Sequence, residues 1–350
     1  MPGISAHSIW GHTLDTVEER GGALPSGSDL ADLVSTAQKP VVFRGAASSL
    51  PLVEAGRQGA RSAAELLLKH YNGRPVTIYR AGPQAGGRFH YKDDLKGFNF
   101  EATREPFAGV VEELLAGSTQ AMYVGSTDLD RFFPGLREEN DPGLIGLTNE
   151  NAAPVLASAW IGNRTTAAAH FDITNNCAIC AVGRRRFTLF PPDQIANLYP
   201  GPLEPTPAGQ AVTMVDFEKR QPDVFPRFEE ALEHAQVADL EPGDVLIYPA
   251  MWWHQVDALD DFNVLLNWWW NASPRWIDAP TTTLLHAILS LRGRPAHERA
   301  AWREVFDHYV FADDTSATEH LSADSVGELG ELDEAAARRL RSKIINRLQR

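Results

Sequence analysis

Several things are missing from this 350-residue chain, and each absence narrows what it can be. No stretch approaches the ~20 consecutive apolar residues of a membrane helix. The opening MPGISAHSIWGHTLDTVEER has neither the basic start nor the apolar core of a secretory signal, so a cytoplasmic protein with no membrane partner is expected. In that setting the sequon Asn163-Arg164-Thr165 carries no meaning. Two cysteines, Cys177 and Cys180, are too few for a disulfide framework. Basic residues are in deficit, 32 Lys and Arg against 46 Asp and Glu. The net charge of −14 argues against the broad basic footprint that non-specific nucleic-acid binding needs, though not against a small local basic cleft. Internal repeats and low-complexity tracts are also missing.

What remains is an ordinary globular composition, 43% hydrophobic, long enough for two domains or for one all-β domain with helical additions. Strands are expected in PVVFRG, in RPVTIYRA over 74–81 and in AMYVG around Tyr123. Helical spacing of apolar residues predicts helices over 28–35, 61–71, 107–115 and 226–236, while 128–142 reads as irregular. The glycine-rich segment 82–98, which holds Arg88 and His90, reads as a loop and a candidate lid. For Arg88 and His90 individually, solvated positions are the default. From 276 onward the pattern is helical, at 281–291, 296–309 and 333–348. The last has Asp333 as N-cap and an apolar stripe of Ala336, Leu340, Ile344 and Leu348.

The chemistry concentrates in NRTTAAAHFDITNNCAICAVGRRRFTLFPP, residues 163–192. On a strand His170 and Asp172 leave the same face. A second histidine, His254, follows the turn-and-strand block EPGDVLIYPAMWWH. Two imidazoles and one carboxylate with positions left open form the ligand set of a non-haem Fe(II) oxygenase; a structural zinc site would want four closed ligands, usually with thiolates. A lone His-x-Asp is weak evidence, and its context gives it weight. Cys177-x-x-Cys180 invites a redox or zinc reading, but residues three apart on a strand face opposite ways, so core packing is expected.

Three blocks, HFDITNNCAICAVGRRRFTLFPPDQIANLYPGP, EPGDVLIYPAMWWHQV and NVLLNWWW, resemble the cupin-like JmjC hydroxylases, in the branch of the asparaginyl hydroxylase that acts on hypoxia-inducible factor. The resemblance covers the middle of the chain, the N-terminal region more loosely, and the last ~75 residues hardly at all. It implies a mainly β fold with α additions: a double-stranded β-helix, or jelly roll. The barrel core would span about 120–270 within a catalytic domain over 1–275, with a helical segment over 276–350. It implies Fe(II) held by His170, Asp172 and His254, with 2-oxoglutarate and O2 as cosubstrates. Arg185, fifteen residues after His170, falls on the basic position that grips the far carboxylate, where the asparaginyl hydroxylase branch has lysine; Arg184 and Arg186 should then face outward. Tyr123, Asn176 and Asn267 fall on positions that contact the cosubstrate. The family's threonine three residues before the first histidine is Ala167 here, leaving Thr165 or Thr166 to replace it, or a strand shifted by one residue. Trp252, Trp253 and Trp268 read as core, and Trp269 as a wall of the substrate cleft.

The expected reaction is therefore hydroxylation of a C–H bond in a protein or peptide side chain or a small molecule, with 2-oxoglutarate decarboxylated to succinate. By the same resemblance the helical end makes a homodimer. The rivals are a 2-oxoglutarate-independent metal cupin, an RNA-modifying hydroxylase and a non-catalytic scaffold.

Overall fold

Eight strands between Leu156 and Trp270 are shared between two sheets in a computed structural model that describes residues 8–144, 152–271, 273–312 and 316–349. Leu156–Gly162, Asn175–Val182, Val245–Tyr248 and Asn263–Trp270 lie in the larger sheet; Thr166–Phe171, Arg185–Phe190, Gln236–Leu240 and Trp253–Ala258 lie in the smaller. Pairing among these eight is antiparallel throughout. Two such sheets face to face are a jelly roll. The larger sheet extends at its ends by Glu18–Gly21 and Val41–Arg44 on one side and Ala121–Asp128, Val76–Ala81 and Glu101–Glu105 on the other. The smaller gains Asp15–Thr16 and Arg88–Phe89.

The larger sheet is buried on both faces, so its strands read as unbroken apolar runs such as VLIY. Its outer face carries Cys177, Ile179, Ile247, Leu266 and Trp268. These share a core with Leu52 and Val53 of the helix Pro51–Gln58, Leu67 of Ala60–His70 and Val110 and Leu114 of Phe107–Ala116. Each fully buried leucine here contributes about 2 kcal/mol. The inner face carries Ala178, Cys180, Leu246 and Leu265, which pack with Phe187 and Leu189 of the small sheet. The two cysteines thus lie on opposite faces, buried and unbridged. The tight turn between Asn175–Val182 and Arg185–Phe190 needs Gly183, with φ of 70°, because a Cβ there would meet the Phe262 carbonyl at 2.8 Å.

Some expectations change. The helix expected over 226–236 is only Phe228–Glu233, because Gln236 already begins a strand paired to Leu189. The stretch 128–142 is not wholly irregular: it holds the short helices Leu129–Phe132 and Leu136–Glu139. Buried Asn140 accepts a hydrogen bond there from Leu52 N–H at 2.9 Å, tying this stretch to Pro51–Gln58. That helix went unnoticed in the sequence because PLVEAGRQ carries a glycine and too few apolar residues.

The chain divides into two compact units, residues 1–149 with 154–271, and residues 150–153 with 272–350. The second contains the helices Pro280–Leu291, Ala296–Phe306 and Glu334–Leu348. Asp333 caps the last by accepting from Ala336 N–H at 2.6 Å. Arg341 on this helix forks onto Asp278 at 2.7 Å and the Trp276 carbonyl at 3.1 Å. Of its apolar stripe, Ile344 and Leu348 are exposed. Among the described residues no helix is long and apolar enough to cross a membrane.

Candidate metal and cosubstrate site

His170 and His254 are direct cross-strand partners on Thr166–Phe171 and Trp253–Ala258, with ring centroids 4.5 Å apart. Asp172 follows His170 just past the strand end, and its Oδ2 lies 3.8 Å from His254 Nε2. One donor atom from each of the three falls within 4.8 Å of the others, a spacing a single ion can bridge. Among the described residues this is the one His/Cys/Asp/Glu cluster with such geometry.

The ring orientations are fixed by the backbone. His170 Nδ1 faces the Ala168 carbonyl at 2.9 Å, and His254 Nδ1 faces the Trp252 carbonyl at 3.0 Å. A carbonyl can only accept, so each Nδ1 carries the hydrogen and each Nε2 keeps its lone pair for a cation. Burial, and then neighbouring His170, push His254 down to about 4, keeping it in the neutral form that binds metal. Asp172 Oδ2 accepts from Trp269 Nε1 at 3.1 Å, which orients the carboxylate.

A bulge makes this face possible. Ala167 pairs with Val256 and His170 with His254, so Ala168 and Ala169 together oppose Gln255. The extra residue brings Ala167 and His170 onto the same inner wall, three positions apart. The bulge's backbone is not orphaned: the Ala169 carbonyl accepts from Thr213 N–H at 2.7 Å, supplied by the long segment between Phe190 and Gln236. Neither upstream threonine replaces the missing hydroxyl. Thr166 donates to Asp257 at 2.7 Å on the outer side of the sheet, and buried Thr165 does not reach the cavity.

The triad opens into a cavity of about 520 Å³ between the sheets. Arg185 lines it from Arg185–Phe190, 2% exposed, with one Nη bonded to the Trp160 carbonyl at 3.0 Å and its Nε unpartnered. No carboxylate pairs with it among the described residues, and burial pushes its pKa down. Arg184 and Arg186 point outward onto Asp260 and Asp239. Tyr123 also lines the cavity, stacked between Phe89 and Trp160 with centroids 5.7 Å from each; its hydroxyl, pushed up by burial, meets no partner among the described residues. Asn267 lines the wall and meets the amide of Asn176 at 3.0 Å. Asn176 itself does not reach the cavity; it is fully buried behind Asn267 and donates to the Thr174 carbonyl.

Trp269 lines the cavity as the spacing predicts, while Trp252, Trp253 and Trp268 are core. In the segment 82–98, Phe89 and Phe98 face the cavity, but Arg88 and His90 do not. The expectation that these two are solvated is overturned. Arg88 donates to the Val215 carbonyl at 2.8 Å, and His90, 7% exposed, bonds through Nε2 to the Thr213 carbonyl at 2.9 Å. Sequence reasoning missed Tyr248, Phe187 and the aromatic wall of Tyr79, Phe100 and Trp160. Period-two counting from the inward Leu246 would have found Tyr248; in the unbroken run VLIY that signal is drowned.

The family described as Cupin-like domain matches residues 29–275, over two thirds of the chain. HSPB1-associated protein 1 of Homo sapiens is 33% identical over 227 residues, covering 57% of this chain and 44% of that protein. Lysine-specific demethylase JMJ31 of Arabidopsis thaliana is 32% identical over 106 residues, 30% of this chain and 18% of that protein. The tRNA wybutosine-synthesizing protein 5 of Gallus gallus is 32% identical over 105 residues, 30% of each chain. The matched stretch therefore spans less than half the length of each of these relatives.

Proposed function

The chain belongs to the cupin-like domain family, and from that premise we propose that it is an Fe(II)- and 2-oxoglutarate-dependent oxygenase that hydroxylates a C–H bond of a protein or peptide side chain or of a small molecule. One observation carries the reading beyond a bare metal cupin: the buried guanidinium of Arg185, without a carboxylate partner among the described residues, faces the same cavity as the three metal donors. An unpaired buried charge is very unfavourable. A dicarboxylic 2-oxoacid answers both needs, its oxoacid end at the triad and its far carboxylate on Arg185, which can grip it through two parallel hydrogen bonds.

In this reading His170, Asp172 and His254 hold the metal on one face. Tyr123 and Arg185 hold the far carboxylate, and Asn267, braced by Asn176, lines the wall between. Bound together, the iron and 2-oxoglutarate supply the oxidant, as the 2-oxoacid is decarboxylated to succinate. The chain's remaining tasks are to orient the substrate and exclude water, for which the aromatic wall is suited. Apart from Arg185 the described cavity lining has no cation, which favours a protein or small-molecule substrate over RNA.

The finer placement, beside the asparaginyl hydroxylase, rests on the three sequence blocks alone. Free, buried Cys177 and Cys180 suit a reducing compartment, and the reading places the enzyme in the cytoplasm. Exposed apolar side chains on the C-terminal helices, among them Leu285, Leu289, Ile345 and Leu348, support a homodimer through that segment.

The test is anaerobic titration of the Fe(II) protein with 2-oxoglutarate, followed by aerobic incubation with host-cell lysate. A visible charge-transfer band on titration and a 2-oxoglutarate-dependent gain of one oxygen atom in a lysate component are expected. If the iron protein gives no band and consumes no 2-oxoglutarate, the proposal fails.

A further inference from the structure

Tyr248 ends the strand Val245–Tyr248, where it pairs with Asn176, and it reaches the cavity from the large sheet. It is 3% exposed, and its hydroxyl makes no hydrogen bond to any described residue. A buried phenol ordinarily has a partner. Its ring lies 4.9 Å from that of His254 and 6.2 Å from that of Phe187. It thus stands between the metal level, where Leu189 and His170 flank His254, and the deeper level of Arg185, which pairs with Ala258. At the intermediate level the small sheet presents Ala167, Val256 and Phe187, none with a polar side-chain atom. Polar contact to a ligand there has to come from elsewhere, and Tyr248 faces that level.

Arg185, whose buried Nε has no partner, and Tyr123 and Tyr248, whose hydroxyls meet none among the described residues, therefore line one cavity together. They come from three different strands, and the first two are already read as the far-carboxylate site. A carboxylate oxygen can accept from more than one donor. We propose that Tyr248 is a cosubstrate-binding residue, its hydroxyl donating to the far carboxylate that Arg185 and Tyr123 hold. The inference rests on the 2-oxoglutarate reading above and adds a third, unassigned donor to it.

The test is calorimetric binding of 2-oxoglutarate and of 2-oxobutyrate, which keeps the oxoacid end and lacks the far carboxylate, to the Mn(II)-loaded full-length protein. Tyr248→Phe removes one oxygen atom and keeps the ring contacts, so Mn(II) affinity should match the wild type. A hydrogen bond to a charged group is worth about tenfold to a hundredfold in binding. The variant is expected to lose that factor for 2-oxoglutarate and nothing for 2-oxobutyrate. Equal losses for both acids, which a disturbed fold would also give, overturn the inference, as does no loss for either. Should Arg185→Met abolish 2-oxoglutarate binding while Tyr248→Phe leaves it intact, the reading of the site stands and this inference falls. If wild-type protein takes up Mn(II) yet ignores 2-oxoglutarate, the reading itself is wrong.

Discussion

Trp269 Nε1 donates to Asp172 Oδ2 at 3.1 Å, so a side chain of the large sheet holds the carboxylate that completes a triad begun on the small one. The contact crosses the cavity between the sheets. It fixes Oδ2, the same oxygen that lies 3.8 Å from His254 Nε2, and so aims that oxygen at the other two donors. Partners of this kind typically account for a factor of 10 to 100 in metal affinity.

Trp269→Phe should therefore weaken Mn(II) or Fe(II) binding by about 10-fold to 100-fold while keeping the fold. His170→Ala and Asp172→Ala, which remove donors outright, should weaken it further and abolish 2-oxoglutarate turnover. Competition with a metallochromic chelator measures the first; succinate release measures the second. Wild-type turnover in either alanine variant would refute the triad.

Arg185→Met separates stability from binding. Replacing a buried, unpaired cation by an apolar side chain of similar length is expected to leave the melting temperature unchanged or raise it. Excess 2-oxoglutarate with Mn(II) should raise the melting temperature of the wild type and not that of Arg185→Met. Equal ligand-induced shifts in the two would remove Arg185 from the site.

Acid should act through His90. Burial, and then the charge of Arg88, push its pKa from 6.5 to about 4, so the folded protein keeps it neutral while the unfolded chain binds a proton across that interval. Stability should accordingly be full above about pH 6.5 and decline as pH falls toward 4, by on the order of 2–3 kcal/mol from this group. His254 adds to the decline in metal-free protein. Urea denaturation from pH 7 to 4.5 reads the slope. His90→Gln, which can still donate to the Thr213 carbonyl, should flatten it; an unchanged slope would exonerate His90.

For the second unit, light scattering on the purified chain should report a dimer, and Leu289→Arg with Ile345→Arg should shift it to monomer without lowering 2-oxoglutarate affinity. A wild-type monomer at tens of micromolar would remove the homodimer from the proposal.

Residues whose role follows from strand alternation were legible before any coordinates. Arg185 inward between outward Arg184 and Arg186, Cys177 and Cys180 on opposite faces, and Trp269 in the cavity wall all follow from a period of two. Where both faces of a sheet are buried the period disappears, and Tyr248 was lost in it. The fate of His90 was hidden for another reason. Its partner, the Thr213 carbonyl, lies 123 residues away, and nothing local in GRFHYKD distinguishes a buried imidazole from a solvated one. Asn176 shows the limit of a matched position: its residue type agrees with the family, yet its amide serves Asn267 and not the cavity.

The doubled alanine opposite Gln255 makes the inward aim of His170 robust to the loss of one residue. Deleting Ala168 or Ala169 would leave His170 two positions past Ala167, the ordinary period of a strand, so both would keep the inner face and the ladder would close into regular pairing. The harm of such a lesion would fall instead on the spare carbonyl that holds Thr213 N–H, and so on the anchoring of the long segment that carries it rather than on the imidazole.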